Sequence, residues 1–405
     1  MFNIAVAQSG GPTAAINSSL VGVFTEGFKH EQIKEIYGFK NGIEGIISDD
    51  FIDLKERIRS VSDVNLLKHT PSTALGSCRM KLPPISDNSQ IYEKIFSNFE
   101  RHNIGAFFYI GGNDSMDTVA KLSKYAQING KNINFVGIPK TIDNDLVLTD
   151  HTPGFGSAAK YIATTVNEII CDSQVYALNS VTIIEIMGRD AGWLTASSCV
   201  LRANGEIAPH LIYLPETPFS IDKFILDVQK VQKEHKAVIV AVSEGLKTAD
   251  GNYVASGVLS GNTDVFGHKY LAGLGKFLEN LIKEKIGCKV RSVELNVMQR
   301  CSSHIASKTD IDEAEEIGSE AVKAALNGST GVMMSFKRVS DFPYEVVFQT
   351  VPVDKVANAE RCFPQEWINE EKNGITSDAL NYFLPLITGE VETLYKNGIP
   401  VHFEF

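Results

Sequence analysis

The stretch that most constrains the fold is residues 107–145. Two short apolar runs, 107–110 and 135–138, flank an amphipathic segment, and a polar turn follows each run, at 111–115 and at 139–145. This alternation predicts a strand–helix–strand unit with parallel strands. Ligands of open α/β sheets bind at the carboxyl ends of the strands. We therefore expect both polar turns to lie at one functional site.

The two turns carry residue types that phosphoryl transfer requires. The first has paired glycines, which let a phosphate approach the backbone, and it precedes a predicted helix N-terminus. The second supplies Lys140 and the carboxylates Asp143 and Asp145. Positioned cations, backbone amides and carboxylates account for most of the catalysis of phosphoryl transfer. The residues alone are also compatible with an Asx-rich turn at 143–145 that has no catalytic role.

Length and composition indicate a globular protein of two domains. The chain has 405 residues, of which 43% are hydrophobic and 21% charged. No apolar run approaches the roughly 20 residues of a membrane span, and the N-terminal residues lack a signal-peptide pattern, so we expect a cytoplasmic protein without a membrane partner. Six cysteines without a CxxC pair argue against a disulfide framework or metal cluster. A net charge of −11 argues against nucleic acid as a partner.

Two further loops are candidates for phosphate binding. Gly10 and Gly11 follow a predicted strand over residues 2–8, and a helix rich in small residues comes next. This pattern is equally compatible with a tight turn that binds nothing. The polar stretch 70–79 reads as an irregular loop. It ends at Arg79, for which the residues alone favour a solvated side chain.

The remaining chain continues the alternation of strands and helices, which predicts parallel sheets wrapped by helices. Asp310 and Glu313 are predicted to form a capping box at a helix start, and residues 246–264 are predicted to form a loop. Strands are predicted at 181–186, 211–214, 237–242, 290–295, 331–336 and 344–348, and helices at about 158–171, 221–233, 268–286, 310–326 and within 364–405.

The order of these motifs resembles the 6-phosphofructokinase family, and within it the pyrophosphate-dependent members. The run Pro-Lys-Thr-Ile-Asp-Asn-Asp at 139–145 is highly specific, whereas NAD kinases and lipid kinases share a Gly-Gly-x-x-Ser loop like that at 111–115. The other matching motifs are Ser9-Gly10-Gly11, residues 76–79, Met187-Gly188-Arg189, Ser243-Glu244-Gly245 and Gln299-Arg300.

The resemblance implies an α/β fold with two Rossmann-like parallel-sheet layers of the phosphofructokinase type and a helical C-terminal extension. It implies a phosphate-donor domain at 1–155 with part of 298–345, a sugar-phosphate domain at 156–297, and an extension at 346–405 packed on the body. A homodimer or homotetramer is expected.

The activity implied by the resemblance is a reversible, Mg²⁺-dependent transfer of a phosphoryl group in glycolysis. The donor is pyrophosphate, the acceptor is the 1-hydroxyl of fructose 6-phosphate, and the products are fructose 1,6-bisphosphate and phosphate. One alternative is an ATP-dependent 6-phosphofructokinase, and another is a non-catalytic paralogue that binds sugar phosphates. A sedoheptulose phosphate is an additional candidate acceptor.

The resemblance also assigns roles to residues. Asp143 matches the family's general base, and ATP-dependent relatives have glycine at the positions of Asp114 and Lys140. An aspartate at 114 opposes a nucleotide by bulk and charge, and the Lys140 ammonium can neutralise the leaving phosphate. The two residues are also compatible with a plain ion pair between adjacent loops. Arg189 is expected near the transferred group. The expected donor-binding residues are Gly10, Gly11, Arg79, Gly112 and Ser115.

For the sugar phosphate, arginine offers a bidentate fork to phosphate oxygens. Arg291 is expected to reach in from a neighbouring subunit, and Asn113 and Asp145 are expected to bind the metal. Two positions depart from the family pattern: Asn113 stands where aspartate is common, and Val297 stands where histidine or tyrosine is usual. The expected substrate-binding residues are Thr141, Ile142, Asp143, Met187, Gly188, Arg189, Glu244, Arg291, Val297 and Arg300.

Overall fold

The computed structural model describes residues 1–255 and 273–405. The strands of this described part are β1 (Phe2–Gln8), β2 (Ile33–Phe39), β3 (Phe51–Asp53), β4 (Ile104–Gly111), β5 (Asn134–Pro139), β6 (Ser180–Ile186), β7 (Leu211–Tyr213), β8 (Ala237–Ser243), β9 (Lys289–Glu294), β10 (Val332–Asp341), β11 (Tyr344–Pro352), β12 (Tyr395–Lys396) and β13 (Ile399–Pro400).

Helices connect most of these strands, as expected for parallel pairing. The α-helices of the described part are α1 (Ile16–Phe28), α2 (Gly42–Ser48), α3 (Leu54–Arg57), α4 (Val61–Lys68), α5 (Ser89–Arg101), α6 (Asn113–Ile128), α7 (Phe155–Ser173), α8 (Trp193–Ser197), α9 (Ile221–Gln232), α10 (Leu274–Lys285), α11 (Met298–Cys301), α12 (Lys308–Leu326) and α13 (Asp378–Leu386). Short 3₁₀ helices occur at Ser198–Asn204, Ser303–Ile305, Val353–Lys355 and Gln365–Trp367.

The described chain divides into two compact units. Unit 1 comprises Met1–Ser157, Arg300–Glu360 and Thr388–Phe405, and unit 2 comprises Ala158–Gln299 and Arg361–Ile387. The segment 346–405 is therefore shared between the two units.

Unit 1 contains a seven-stranded sheet in the order β11-β10-β5-β4-β1-β2-β3. Its five central strands are parallel, and the two edge strands β3 and β11 pair antiparallel to their neighbours. Side chains alternate across the sheet, as the twofold period of a strand requires. In β4, Phe107 and Tyr109 pack with residues of α5 and α6. Phe108 and Ile110 pack on the other face with residues of α1 and α12.

Unit 2 contains a four-stranded parallel sheet in the order β7-β8-β6-β9. One face of this sheet packs against α9 and α10 through an apolar cluster that includes Val240, Phe224 and Leu278. The predicted α/β class with parallel sheets is confirmed, and β4, α6 and β5 form the strand–helix–strand unit expected for residues 107–145.

Two sequence predictions differ from the structure, and two others lie partly outside the described residues. The predicted helix start at Asp310 and Glu313 is wrong, because Ser307 is the N-cap of α12 and accepts from the Asp310 backbone amide. The segment 364–405 is less helical than predicted: its only described α-helix is α13, and the hairpin of β12 and β13 follows. Residues 256–264 of the predicted loop and 268–272 of the predicted helix lie outside the described residues.

The described helices include none that is long and apolar enough to cross a membrane.

Candidate active site

The turn after β1 lies against two cations of unit 1. Gly10 has a φ of +78°, and a Cβ atom on it would lie 3.2 Å from the Lys140 Nζ. A Cβ atom on Gly11 would lie 3.2 Å from Nη1 of Arg300. Larger residues would crowd these cations, and a positive φ favours glycine. The backbone of this turn therefore lies beside two positively charged groups, an arrangement suited to binding phosphate.

Buried polar side chains fix the irregular loop 70–79 to this turn. Gln8 accepts from the Leu75 amide at 2.9 Å, and Asn17 Nδ2 donates to the Thr70 carbonyl at 2.9 Å. The Ser77 hydroxyl donates to the Gly10 carbonyl at 2.7 Å. Arg79 is therefore placed beside the glycine turn by its loop, and its charge acts on Lys140.

Lys140 is a buried cation at the end of β5. Its side chain is 2% exposed, and its ammonium donates to the Gly11 carbonyl at 2.6 Å. Burial lowers the pKa of Lys140 to about 8, a shift that the carboxylates of Asp143 and Asp145 oppose and the guanidiniums of Arg300 and Arg79 increase. Near neutral pH the group is still mostly protonated, so it offers a poorly solvated positive charge to an anion.

The N-terminus of α6 forms the second side of the unit 1 site. Gly112 is the N-cap, and its carbonyl accepts from the amides of Ser115 and Met116 at 3.0 Å. Free amides at a helix N-terminus attract phosphate. Asn113 begins the helix, and its side-chain oxygen is a buried acceptor without a hydrogen-bond partner in the described part of the chain.

Asp114 forms an ion pair with a lysine that the sequence did not single out. The Lys81 ammonium lies 2.9 Å from the Asp114 carboxylate, and both side chains are about half exposed. A direct ion pair between Asp114 and Lys140, which the sequence also allowed, is not formed, because Lys140 donates to Gly11 instead. Lys81 follows Arg79 by two residues, but no recognisable motif marks it.

The loop that follows β5 presents Asp143. The Asp143 amide donates to the Thr141 hydroxyl at 3.1 Å. Asn144 is fully buried with a φ of +55°, a left-handed conformation that asparagine tolerates better than most residues. Ile142 is buried, whereas Asp143 is partly exposed. The loop therefore holds the Asp143 carboxylate at the end of the sheet, within electrostatic reach of Lys140.

In unit 2, two turns meet at the carboxyl ends of β6 and β8. The Ser243 hydroxyl donates to the Gly188 carbonyl, and the Gly188 amide donates to Glu244 at 3.4 Å. A Cβ atom on Gly245 would lie 1.7 Å from the Arg189 carbonyl oxygen, so only glycine fits there. This close contact accounts for the glycine of the Ser-Glu-Gly motif, and it brings Glu244 beside Met187-Gly188-Arg189.

Arg189 and Arg291 occupy different parts of unit 2. The Arg189 Nε is buried and has no hydrogen-bond partner among the described residues. Arg291 pairs in register with Thr182, four residues before the end of β6, and its guanidinium lies 2.6 Å from Asp172. At about 3.3 Å per residue, this position is roughly 13 Å along the sheet from the end of β6, after which the Gly188 turn begins. Val297 is 48% exposed.

A buried ion network beside the Asp143 loop was also missed by sequence reasoning. His151 lies 2.9 Å from Asp150 and 2.8 Å from Glu313, and Tyr344 donates to Glu313 at 2.8 Å. Charged residues scattered over three elements carry no local pattern that predicts such a network.

The residues expected to bind metal are placed in unit 1. The described residues contain no cluster of three or more His, Cys, Asp or Glu side chains arranged to hold a metal ion. Mg²⁺ commonly takes only one or two carboxylates and completes its shell with waters and substrate phosphates. The unpaired Asn113 oxygen at the N-terminus of α6 and the Asp145 carboxylate near Lys140 fit that mode.

Comparisons with known proteins identify a family for this sequence and fold. The family model described as Phosphofructokinase matches residues 3–325. The chain is 39% identical over 401 residues to a pyrophosphate–fructose 6-phosphate 1-phosphotransferase of Halomonas elongata, and the match covers 98% of this chain and 94% of that protein. An enzyme of the same name from Methylococcus capsulatus is 40% identical with the same coverage.

A solved structure is similar over the whole chain. The pyrophosphate-dependent phosphofructokinase of Marinobacter aquaeolei superposes with a TM-score of 0.88 at 36% identity, and the match covers 100% of this chain and 96% of that one.

Proposed function

The chain belongs to the phosphofructokinase family, and on that premise we propose that it transfers a phosphoryl group reversibly from pyrophosphate to the 1-hydroxyl of fructose 6-phosphate. The products are fructose 1,6-bisphosphate and phosphate. Relatives that match nearly the full chain carry the name of this reaction.

The proposal that pyrophosphate is the donor rests on the position of Lys140. Its buried ammonium lies against the Gly10–Gly11 turn, where a phosphate can approach the backbone. ATP-dependent members have glycine at this position and at position 114. The cation supports a donor that leaves as a bare phosphate, since it can neutralise the charge that develops on the leaving group.

Unit 1 is the proposed donor unit. Pyrophosphate is bound by the turn at Gly10 and Gly11, by Arg79, and by the helix N-terminus at Gly112 and Ser115. Asp114 stands at the first turn of α6, where its bulk and charge oppose the longer phosphate chain of a nucleotide. Arg300 lies against Gly11, a position from which its guanidinium can contact a phosphate of either substrate.

The proposed general base is Asp143. A primary alcohol is a weak nucleophile at neutral pH, so a carboxylate must accept its proton as the phosphoryl group is attacked. Asp143 projects from a loop that is held on both sides: its own amide donates to the Thr141 hydroxyl, and the Thr152 hydroxyl contacts the Asn144 side chain. When the reaction runs in reverse, the same carboxyl group returns the proton to the sugar oxygen.

Unit 2 supplies the remaining proposed sugar-phosphate contacts. Glu244 accepts from sugar hydroxyls, and the Met187-Gly188-Arg189 turn lies beside it. The buried Nε of Arg189 has no partner among the described residues, so its N–H group is a donor that can bind substrate. In unit 1, Thr141 and Ile142 are proposed substrate-binding residues.

Magnesium is the proposed cofactor, held by Asn113 and Asp145 together with phosphate oxygens. The bound ion neutralises negative charge on the phosphates. Asn113 contributes an oxygen without a charge, so the metal affinity of the free protein is expected to be weak and to increase with pyrophosphate.

The proposed assembly is a homodimer or homotetramer. Arg291 and Asp172 form an ion pair in which both side chains are substantially exposed, so the guanidinium is accessible to a second subunit. Val297 and Met298 are each about half exposed. Light scattering of the purified protein tests this proposal: a monomer at micromolar concentration would contradict it.

Steady-state assays with fructose 6-phosphate test the proposed function directly. Pyrophosphate and ATP are supplied in separate reactions at the same free Mg²⁺ concentration. Turnover with pyrophosphate supports the proposal, and turnover with ATP alone contradicts it. Sugar-phosphate binding without turnover from either donor would indicate the non-catalytic paralogue.

A further inference from the structure

The loop that carries Asp143 is fixed by contacts from a segment at 149–157. Thr152 is fully buried, and its hydroxyl donates to the Thr141 carbonyl at 2.8 Å. The same oxygen lies 3.4 Å from the side-chain oxygen of Asn144. Thr141 also forms a parallel bridge with Gly154. These contacts lie on both sides of Asp143 in the sequence.

The segment 149–157 is itself fixed to β10. The Asp150 amide donates to the Phe336 carbonyl at 2.9 Å, and the Phe336 amide donates to the Thr149 hydroxyl at 3.0 Å. The His151 ring stacks on Phe336 with centroids 4.3 Å apart. The residues that precede Thr152 are therefore held against β10 of the seven-stranded sheet, and this contact fixes the position of Thr152.

A second set of contacts fixes the segment to α12. Asp310 accepts from the amides of Gly154 and Ser157 at 2.8 and 2.9 Å. His151 lies between the carboxylates of Asp150 and Glu313. Burial alone would lower the pKa of His151, but the two carboxylates raise it to about 9, so this network is charged and satisfied near neutral pH.

From these contacts we propose that Thr152 is a positioning residue for the catalytic loop: its hydroxyl holds residues 141–144 so that the Asp143 carboxylate meets the sugar hydroxyl. Thr152 is too deeply buried to contact substrate. It acts only through the Thr141 carbonyl and the Asn144 side chain. The inference rests on the proposed function, in which Asp143 is the base.

A misplacement of about 1 Å at a reacting group can cost about 10²-fold in rate. Loss of the Thr152 hydroxyl is therefore expected to lower kcat more than it alters pyrophosphate binding, because the hydroxyl contacts residues 141 and 144 rather than the phosphate-binding turn at Gly10 and Gly11.

The test compares Thr152→Val, which replaces the hydroxyl with a methyl group, with Thr152→Ser, which retains it. Thr152→Val is expected to lower kcat by about 10- to 100-fold and to leave KM for pyrophosphate within about twofold. Thr152→Ser is expected to keep kcat within about threefold of wild type. Thr25→Val is the matched control, since the Thr25 hydroxyl donates to the carbonyl of Gly22 within α1.

Two outcomes would overturn the proposal: an unchanged kcat in Thr152→Val, or an equal loss in Thr152→Ser, which would assign the defect to packing. If Thr152→Val does not fold, Thr152→Ala removes the hydroxyl without adding an apolar group, and the same comparison applies. The wild-type assay separates this inference from the proposed function. Turnover by the wild-type protein identifies the donor. The ratio of kcat in the variant to kcat in the wild type, measured with that donor, then tests the role of Thr152.

Discussion

The Lys81 ammonium and the Asp114 carboxylate form an ion pair of 2.9 Å at the first turn of α6. Leu82, the next residue after Lys81, is buried, and its carbonyl accepts from Lys121 of α6 at 2.8 Å. The backbone beside Lys81 is therefore fixed to the helix that carries Asp114. An exposed pair of this kind contributes little to folding. Its expected consequence is electrostatic, because it compensates the negative charge that Asp114 places near the proposed donor site.

Replacing Lys81 with methionine is expected to raise KM for pyrophosphate. The unpaired Asp114 would then repel the donor. One uncompensated charge near a half-exposed anion site is expected to raise this KM by roughly three- to tenfold. The melting temperature and KM for fructose 6-phosphate should not change. Initial rates at several pyrophosphate concentrations provide the measurement. The control is Lys124→Met, since Lys124 is an exposed lysine of α6, the helix that carries Asp114.

The double variant Lys81→Met with Asp114→Asn identifies the cause. If Lys81 acts by compensating Asp114, removal of the carboxylate charge restores KM for pyrophosphate. A defect that persists in the double variant would mean that Lys81 contacts the donor directly.

Donor choice is expected to depend on positions 114 and 140 together. The double variant Asp114→Gly with Lys140→Gly removes the bulk and charge that oppose a nucleotide and the cation that serves pyrophosphate. The ratio of kcat/KM for pyrophosphate to that for ATP should therefore fall by orders of magnitude. An unchanged ratio would place donor selection elsewhere in the molecule.

Asp143→Ser is expected to lower kcat by about 10²–10⁴-fold, the usual contribution of a general base. Sugar-phosphate binding should stay nearly intact, because the variant loses an interaction made in the transition state. Equilibrium binding of fructose 6-phosphate and steady-state rates measure the two effects separately. A decrease in kcat of less than about tenfold would show that another group accepts the proton.

The pH dependence of catalysis should reflect Lys140. Because burial lowers its pKa to about 8, the free enzyme loses the ammonium charge as the pH rises through that value. The kcat/KM for pyrophosphate is therefore expected to fall above about pH 8. In Lys140→Gln this alkaline limb should disappear at a lower overall rate, and an unchanged limb in the variant would assign the ionisation to a different group.

The sequence by itself determined the parallel α/β class, the strand–helix–strand unit of β4, α6 and β5, and the family. These features are local, because consecutive residues encode an apolar strand, a glycine turn or a motif such as 139–145. The same reasoning found the motif residues of both units, among them Gly188 and Glu244, which adjoining strands place side by side.

Only the tertiary structure decided which of these residues are partners. It paired Asp114 with Lys81 rather than Lys140, directed the Lys140 ammonium to the Gly11 carbonyl, and lowered its pKa through burial. It also made Ser307 rather than Asp310 the cap of α12, because Asp310 accepts from the amides of Gly154 and Ser157. Burial and long-range hydrogen bonds depend on how distant segments pack, and no local pattern of residues encodes that packing.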